Sequence, residues 1–290
     1  MRLYVVATPI GNLQDISPRA LETLRAVDLI AAEDTRHSLK LLNHFDIKKP
    51  LVSYHEHNER SRAQALVARM QAEDLDVALI TDAGTPAISD PGAILVSAAA
   101  EAGIELLALP GPSAAIAALS VSGFENTSFH FLGFPPRQEK ERQAMLAGLK
   151  GLRGSAVFHE SPHRVKALIS SILDSLGDLP LSLSCDLSKR FEKTIRGPAS
   201  QVLAELKHND KAELGEYVLV VDLSGLEAAP ESHSQPLSLE ARLFDLLLGG
   251  IGHKEAMAQL AAQGEKKNAL YAASLRLKAI MPDQFRQEDK

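Results

Sequence analysis

The chain has a single cysteine, Cys185, among 290 residues and so cannot form an internal disulfide bond, which is typical of proteins in a reducing cytosol. It also lacks a long uninterrupted apolar run. The most apolar stretch, residues 93–121, is interrupted by Glu101, Glu105 and Pro110. The apolar start, residues 1–6, is shorter than a signal peptide requires. We therefore expect a folded cytoplasmic protein without a membrane span.

Positive charge is not in excess either. The sequence has 31 Lys and Arg residues against 37 Asp and Glu, which gives a net charge of −6. This balance disfavours a protein that coats nucleic acid over an extended surface, but it allows a local basic patch. Apolar residues make up 45% of the chain, enough for a substantial core, and the length predicts two domains with a small appendage.

The common phosphate-binding motifs are missing. No GxGxxG follows the first predicted strand and no GxxxxGK[ST] occurs, since GGIGHK at residues 249–254 does not match it. A conventional dinucleotide-binding fold and a P-loop NTPase are therefore disfavoured.

Short β-branched runs alternate with helical patterns along most of the chain, which predicts α/β sheets with parallel strands. Two strands without a helix between them, near Asp186 and Thr194, predict a hairpin in a mixed second sheet. The last 50 residues are predicted to be helical and locally basic. We expect an N-terminal α/β domain at 1–118, a second α/β domain at 119–224, a linker at 225–238 and a small helical domain at 239–290.

Five loops that follow the strands of the first half are rich in Gly, Pro or polar residues. The carboxyl ends of parallel strands meet at one edge of a sheet, where ligands of open α/β sheets bind. Five such loops at one edge predict a binding site for a small polar ligand, and so an enzyme. The loops are residues 8–12, 33–36, 55–59, 82–92 and 110–114.

Simpler interpretations of these loops remain open. Asp34 is a suitable N-cap for the next helix, Asn58 is another, and Glu33 with Arg36 could form a surface ion pair. The loop at 82–92 holds more turn-forming residues than a turn needs, which favours a functional role.

A metal site is a further alternative. Two residues apart on an extended segment, His55 and His57 would face the same side, and Asp82 and Asp90 could complete a set of ligands. Neither HExxH nor paired CxxC supports this interpretation.

The order and content of the motifs resemble one family, ribosomal RNA small subunit methyltransferase I, a branch of the tetrapyrrole methylases. The similarity extends over about residues 3–223. It rests on VATPIGNL at 6–13, EDTR at 33–36, HEHNE at 55–59, TDAGTP at 81–86 with DPG at 90–92, LPGPSA at 109–114, FLGF at 131–134 and ESPHR at 160–164.

The resemblance implies that S-adenosylmethionine binds in a cleft between the two α/β domains. It also implies a homodimer that methylates the ribose 2′-hydroxyl of a cytidine in the decoding region of 16S ribosomal RNA. The residues implied to bind the cofactor are Pro9, Asp82, Gly84, Thr85, Ile88, Ser113, Ala114 and Glu160.

A ribose hydroxyl is a poor nucleophile until its proton is withdrawn, so we expect a general base near the cofactor. Asp34 and Glu33 are the candidates, and Lys189 could hold a phosphate or lower the pKa of the hydroxyl. Positive charge near Arg137, Lys140 and Arg142 could supply a local RNA-binding patch. The residues expected to bind substrate are Arg36, His55, Asn58, Arg137 and Arg164.

One segment departs from the family pattern. Where the family has Arg-Glu-Leu-Thr-Lys, this chain has Cys-Asp-Leu-Ser-Lys at residues 185–189, so the arginine position is Cys185. Three alternatives remain: a methyltransferase acting on another acceptor such as a tetrapyrrole, a metal-dependent hydrolase, and a non-catalytic RNA-binding factor. No metal is expected for the methyltransferase.

Overall fold

The computed structural model describes residues 1–226 and 238–280. The chain divides into two compact units, Met1–Leu226 and Glu227–Lys290. Most of the predicted linker, and the last ten residues of the predicted helical domain, lie outside the described residues. The boundary predicted between residues 118 and 119 stays a prediction.

The first half forms a five-stranded sheet in which every pair of neighbouring strands is parallel, in the order β3-β2-β4-β1-β5. The strands are β1 (Arg2–Val6), β2 (Leu29–Ala32), β3 (Leu51–Ser53), β4 (Val77–Ile80) and β5 (Glu105–Leu109), and the helices between them are α1 (Pro18–Ala26), α2 (Thr35–His44), α3 (Glu59–Glu73) and α4 (Ala93–Glu101).

Both faces of this sheet are covered, as a parallel sheet requires. All four residues of β2 and of β4 are buried, because these are central strands whose side chains alternate between two cores. Leu79 packs with Met70 of α3 on one face, and Ile80 packs with Leu24 of α1 on the other.

The second half forms a mixed sheet with the order β6-β7-β10-β8-β9, in which β6 and β7 are parallel and the other three pairs are antiparallel. The predicted hairpin is confirmed as the β8–β9 pair. The strands are β6 (Phe129–Gly133), β7 (Ser155–Glu160), β8 (Pro180–Cys185), β9 (Lys193–Pro198) and β10 (Tyr217–Asp222), and the helices are α6 (Glu139–Ala147), α7 (Val165–Leu176) and α8 (Ala199–Lys207).

A helix that the sequence pattern did not predict, α5 (Ala114–Ser122), connects the two sheets. Ser113 caps it by accepting a hydrogen bond from the backbone N–H of Ile116. Its sequence, AAIAALSVS, has no polar face and therefore no helical periodicity. The helix packs on the second sheet, where Leu119 contacts a core with Val157 and Val220.

The second unit is helical in its described part, as predicted, with helices α9 (Leu239–Leu248), α10 (His253–Ala262) and α11 (Lys267–Ile280). Leu243, Leu260 and Leu270 share its core. Arg242 of α9 forms a 2.5 Å ion pair with Glu265, which lies between α10 and α11. Within the described residues, no helix is long and apolar enough to cross a membrane.

The core beneath the carboxyl edge of the first sheet should be sensitive to loss of volume. Leu79 is 1% exposed at the centre of β4, so we expect Leu79→Ala to lower the free energy of unfolding by roughly 2–5 kcal/mol, because it leaves a cavity. Urea unfolding measures the change.

Leu214→Ala is the control, since Leu214 is 65% exposed and its truncation should cost less than about 0.5 kcal/mol. Equal losses for the two variants would contradict the proposed core.

Candidate active site

The loops that follow β1 and β4 are joined at the carboxyl edge of the first sheet. The backbone N–H of Thr8 donates to the carbonyl of Gly84 at 2.9 Å, and the N–H of Gly84 donates back at 3.0 Å. The Thr8 hydroxyl donates to the carbonyl of Thr81. Gly84 has a φ of +85°, which favours glycine, so the sequence GTP can turn sharply here. Two loops distant in sequence thereby form one surface.

Three carboxylates lie together beside this surface. Glu33 follows β2, and its Oε2 accepts a 3.3 Å hydrogen bond from the backbone N–H of Asp82. Burial is the main cause that raises the pKa of Glu33. Burial, reinforced by the charges of Glu33 and Asp82, raises the pKa of Asp90 to about 6. Asp90 can therefore exchange a proton at mildly acidic pH.

Asp34, the other candidate base, has a lowered pKa. It caps α2, since its Oδ1 accepts a 2.8 Å hydrogen bond from the backbone N–H of Arg36, and its Oδ2 lies 3.0 Å from the guanidinium of the same residue. These bonds lower the pKa of Asp34 to about 2. The ion pair considered for Glu33 and Arg36 is therefore formed by Asp34 instead, because Asp34 is two residues from Arg36 and both are on the solvent side.

Asn58 occupies the N-cap position of α3, as the sequence alternative expected, but its side chain makes no capping hydrogen bond. Its Oδ1 accepts a 2.9 Å hydrogen bond from the backbone N–H of His55, and its Nδ2 lies 3.0 Å from His55 Nε2. Asn58 therefore holds the turn after β3 closed. The rings of His55 and His57 are 5.9 Å apart. Within residues 1–226 and 238–280, no group of three metal-ligating side chains converges.

The second sheet contributes a buried carboxylate. Glu160 is 3% exposed at the end of β7, and its Oε2 lies 3.2 Å from Arg164. Arg164 also donates to the carbonyl of Pro135 at 2.5 Å. It therefore fixes the loop after β6 to the end of β7 through internal contacts.

The predicted basic patch is partly wrong. Arg142 is 8% exposed and donates to the hydroxyl of Ser171 at 2.9 Å, so its charge is inside the second half rather than on a surface. Arg137 is exposed, as predicted.

The two halves approach each other closely at two places. A Cβ on Gly11 would lie 3.1 Å from the carbonyl of Leu187 and would collide with the side chain of Lys189. A Cβ on Gly133 would lie 2.9 Å from the hydroxyl of Ser89. The loops after β1 and β4 therefore face the second sheet directly.

Lys189 is held within the second half. Its Nζ lies 3.0 Å from Asp186 and 3.0 Å from Glu216. With both carboxylates present, the ammonium group raises little net positive potential towards the cleft.

Two cavities lie beside the loops at the carboxyl edge of the first sheet. The larger, about 410 Å³, is formed by both halves, with Ile10 and Ser113 on one side and Leu187 and Ser188 on the other. The smaller, about 210 Å³, lies beside α2. Its lining consists of Pro9, Leu13, His37, Lys40, Leu41 and Asp82.

The predicted cofactor residues surround this edge without lining one cavity. Ser113 lines the larger cavity, and Pro9 and Asp82 line the smaller. The remaining predicted cofactor residues are Gly84, buried; Thr85 and Ala114, half-buried; Ile88, exposed; and Glu160, buried beneath Arg164. Sequence reasoning missed His37 and Lys40, although their spacing of three on α2 places them on one helical face.

A family model for tetrapyrrole (corrin/porphyrin) methylases matches residues 2–203. Among solved structures, diphthine synthase superimposes with a TM-score of 0.58 at 16% identity, covering 77% of this chain and 90% of that one. The architecture described above is thus the tetrapyrrole methylase fold, and the predicted fold class is confirmed.

Two relatives share the name "Ribosomal RNA small subunit methyltransferase I". The protein of Halalkalibacterium halodurans is 42% identical over 273 residues, which are 93% of each chain. That of Vibrio cholerae is 44% identical over 93% of this chain and 92% of its own. The chain therefore belongs to the tetrapyrrole methylase family and, within it, to the ribosomal RNA small subunit methyltransferase I family. It is a methyltransferase, and its methyl donor is S-adenosylmethionine.

The residues at the cleft fit this cofactor. The larger cavity combines apolar walls, Ile10 and Leu187, with the hydroxyl of Ser113, as an adenosine with a polar tail requires. Within the described residues, Thr81 Oγ1 and His159 Nε2 are buried at the carboxyl ends of β4 and β7 without a hydrogen-bond partner. Asp82, which lines the smaller cavity, offers a carboxylate to a cationic sulfonium group.

The raised pKa of Asp90 makes stability depend on pH. A folded-state pKa of about 6 exceeds the ordinary 3.8, so the folded state binds this proton more tightly. The stabilisation that protonated Asp90 contributes is fully present below its ordinary pKa of 3.8 and is lost as the pH rises through about 6. We expect Asp90→Asn to raise the free energy of unfolding at pH 8 by about 1 kcal/mol after allowance for solvent screening, and to change it little at pH 4.

Thermal melting at both pH values measures the effect, and a gain of roughly 2–4 °C at pH 8 is expected. Asp210→Asn, at an exposed aspartate, is the control. A change that is the same at pH 4 and pH 8 would rule out the proposed environment of Asp90.

Proposed function

We propose that this enzyme transfers a methyl group to the 2′-hydroxyl of a cytidine ribose in the decoding region of 16S ribosomal RNA. The observation that carries the proposal is the 42% identity over 93% of the chain to a protein named for methylation of small-subunit ribosomal RNA. The choice of cytidine and of the 2′-oxygen rests on the family motifs, among them EDTR at 33–36 and TDAGTP at 81–86.

The proposed partners follow from the same resemblance. The substrate is 16S ribosomal RNA within the small ribosomal subunit, the enzyme acts as a homodimer, and the reaction takes place in the cytoplasm. Recognition of a folded particle by shape does not need a basic surface over the whole protein, which agrees with the net charge of −6.

We assign cofactor binding to the residues that border the cleft. The bridge between Thr8 and Gly84 supports this assignment, because it brings the loops of Pro9 and Asp82 together. Glu160 supports the cleft from the second sheet. The full proposed set is Pro9, Asp82, Gly84, Thr85, Ile88, Ser113, Ala114 and Glu160.

Bound S-adenosylmethionine supplies an electrophilic methyl group, and alignment accounts for much of such catalysis. The chain's own task is to withdraw the proton of the attacking hydroxyl. Glu33 suits this role better than Asp34, because burial raises its pKa whereas Arg36 and the helix cap hold the pKa of Asp34 at about 2. A carboxylate with a low pKa is a weak base.

Substrate contacts are proposed for two groups of residues. Arg36 and Arg137 are exposed and can reach RNA phosphates. His55 and Asn58 form a closed turn at the same edge. The contacts of Lys189 and Arg164 within the second half favour a positioning role for both.

Mapping the transferred methyl group tests the proposal. The enzyme is incubated with labelled S-adenosylmethionine and small subunits that lack the modification, and the ribosomal RNA is examined by mass spectrometry. A methyl group on one cytidine ribose supports the proposal. Transfer to a base, or no transfer despite cofactor binding, would contradict it and direct the search to other acceptors such as tetrapyrroles.

Replacement of Glu33 by Gln should remove the general base and lower kcat by roughly 10²–10⁴-fold, with cofactor binding within about threefold of the wild type. Single-turnover methyl transfer and calorimetric titration of S-adenosylmethionine measure the two quantities.

The matched control is Asp34→Asn. Asn still caps a helix, so this variant should keep kcat within about tenfold. A larger loss in Asp34→Asn than in Glu33→Gln would return the role of base to Asp34.

A further inference from the structure

We infer that Phe191 and Arg190, in the turn between β8 and β9, form a stacking platform for an unpaired nucleobase of the RNA substrate. The inference rests on the proposed function and adds a substrate contact that the family motifs above do not include.

Phe191 is 78% exposed, more than any other large hydrophobic side chain among the described residues. The guanidinium of Arg190 lies 5.5 Å from the centre of the Phe191 ring. Within the described residues, no ion pair includes Arg190. An aromatic ring beside an arginine that is not paired with a carboxylate offers both a π-face and a positive charge, which single-stranded nucleic acid recognises.

Hydrogen bonds hold the backbone of the turn that carries these side chains. The backbone N–H of Ser188 donates to the carboxylate of Glu192 at 2.6 Å, and the N–H of Lys189 donates to the carbonyl of Asp186 at 2.9 Å. The salt bridges of Lys189 to Asp186 and Glu216 close the base of the turn. Because the backbone of the turn is already ordered, less conformational entropy is lost when a base stacks on its side chains.

The turn is also at the cleft. Leu187, Ser188 and Glu192 line the 410 Å³ cavity together with Ser113, and the hydroxyl of Ser188 bonds to Asp15 from the first half. Phe191 directly precedes Glu192, which lines this cavity, so a base stacked on Phe191 would belong to a nucleotide near the one that enters the cleft. Sequence-specific RNA recognition acts mainly on such unstacked bases.

The experiment compares Phe191→Ala with Phe191→Trp in the full chain, using small subunits that lack the modification. Loss of one stacked base should raise KM for the subunits by roughly 5–100-fold, whereas kcat at saturation and the Kd for S-adenosylmethionine stay within about threefold. Tryptophan should restore KM to within about threefold of the wild type, because its ring also stacks.

Phe129→Ala is the matched control, since Phe129 is a 42% exposed aromatic at the opposite end of β6 from the cleft. Its KM should be unchanged. The Kd of each variant for the subunits, measured at equilibrium without cofactor, compares the same variants under conditions in which no methyl transfer can occur.

Two results would overturn the platform. One is an unchanged KM and subunit affinity in Phe191→Ala. The other is a shift of Phe191→Ala to a smaller species in sedimentation, which would assign the surface to a second copy of the chain. If the wild type neither methylated nor bound the subunits, the proposed substrate would be wrong. The stacking platform, which rests on that substrate, would then be wrong as well.

Discussion

The pairing of Thr8 with Gly84 is the interaction on which the rest of the site depends. It is an isolated antiparallel bridge, formed by two reciprocal backbone hydrogen bonds beyond the ends of the parallel strands β1 and β4. Because backbone bonds of this kind do not depend on side chains, the bridge fixes where both loops begin their turns. The positions of Pro9, Asp82 and the carboxylate cluster are restricted as a result.

The second constraint is the close approach of the two halves. Gly11 meets the β8–β9 turn, and Gly133 meets Ser89 from the loop after β4. A side chain at Gly11 would meet the backbone carbonyl of Leu187 and the side chain of Lys189, and one at Gly133 would displace the hydroxyl of Ser89, so glycine allows the close approach at both places. The same contacts bring the β8–β9 turn beside a cavity that the first sheet alone would leave open. The chemistry of the site thus depends on both sheets.

Much of the architecture could be predicted from the sequence, because alternating strands and helices with polar loops leave few topologies. The helix α5 was missed, since a run of small and apolar residues without a polar face carries no period. Side-chain partners were harder to predict. The pKa of Asp90 depends on Glu33 and Asp82, which come from other parts of the chain and which only the fold brings near it. The pairing of Arg36 with Asp34 is local, but the sequence alone does not show which neighbouring carboxylate Arg36 contacts.

The central claim is that the cleft between the two sheets holds S-adenosylmethionine. A crystal structure of the enzyme with S-adenosylhomocysteine, the demethylated product, tests it most directly. We expect the product between the bridge of Thr8 with Gly84 and the helix start at Ser113, with its sulfur on the side of the Glu33 and Asp90 carboxylates. A product bound outside the cleft, in contact with only one of the two sheets and away from Asp82, would contradict the account.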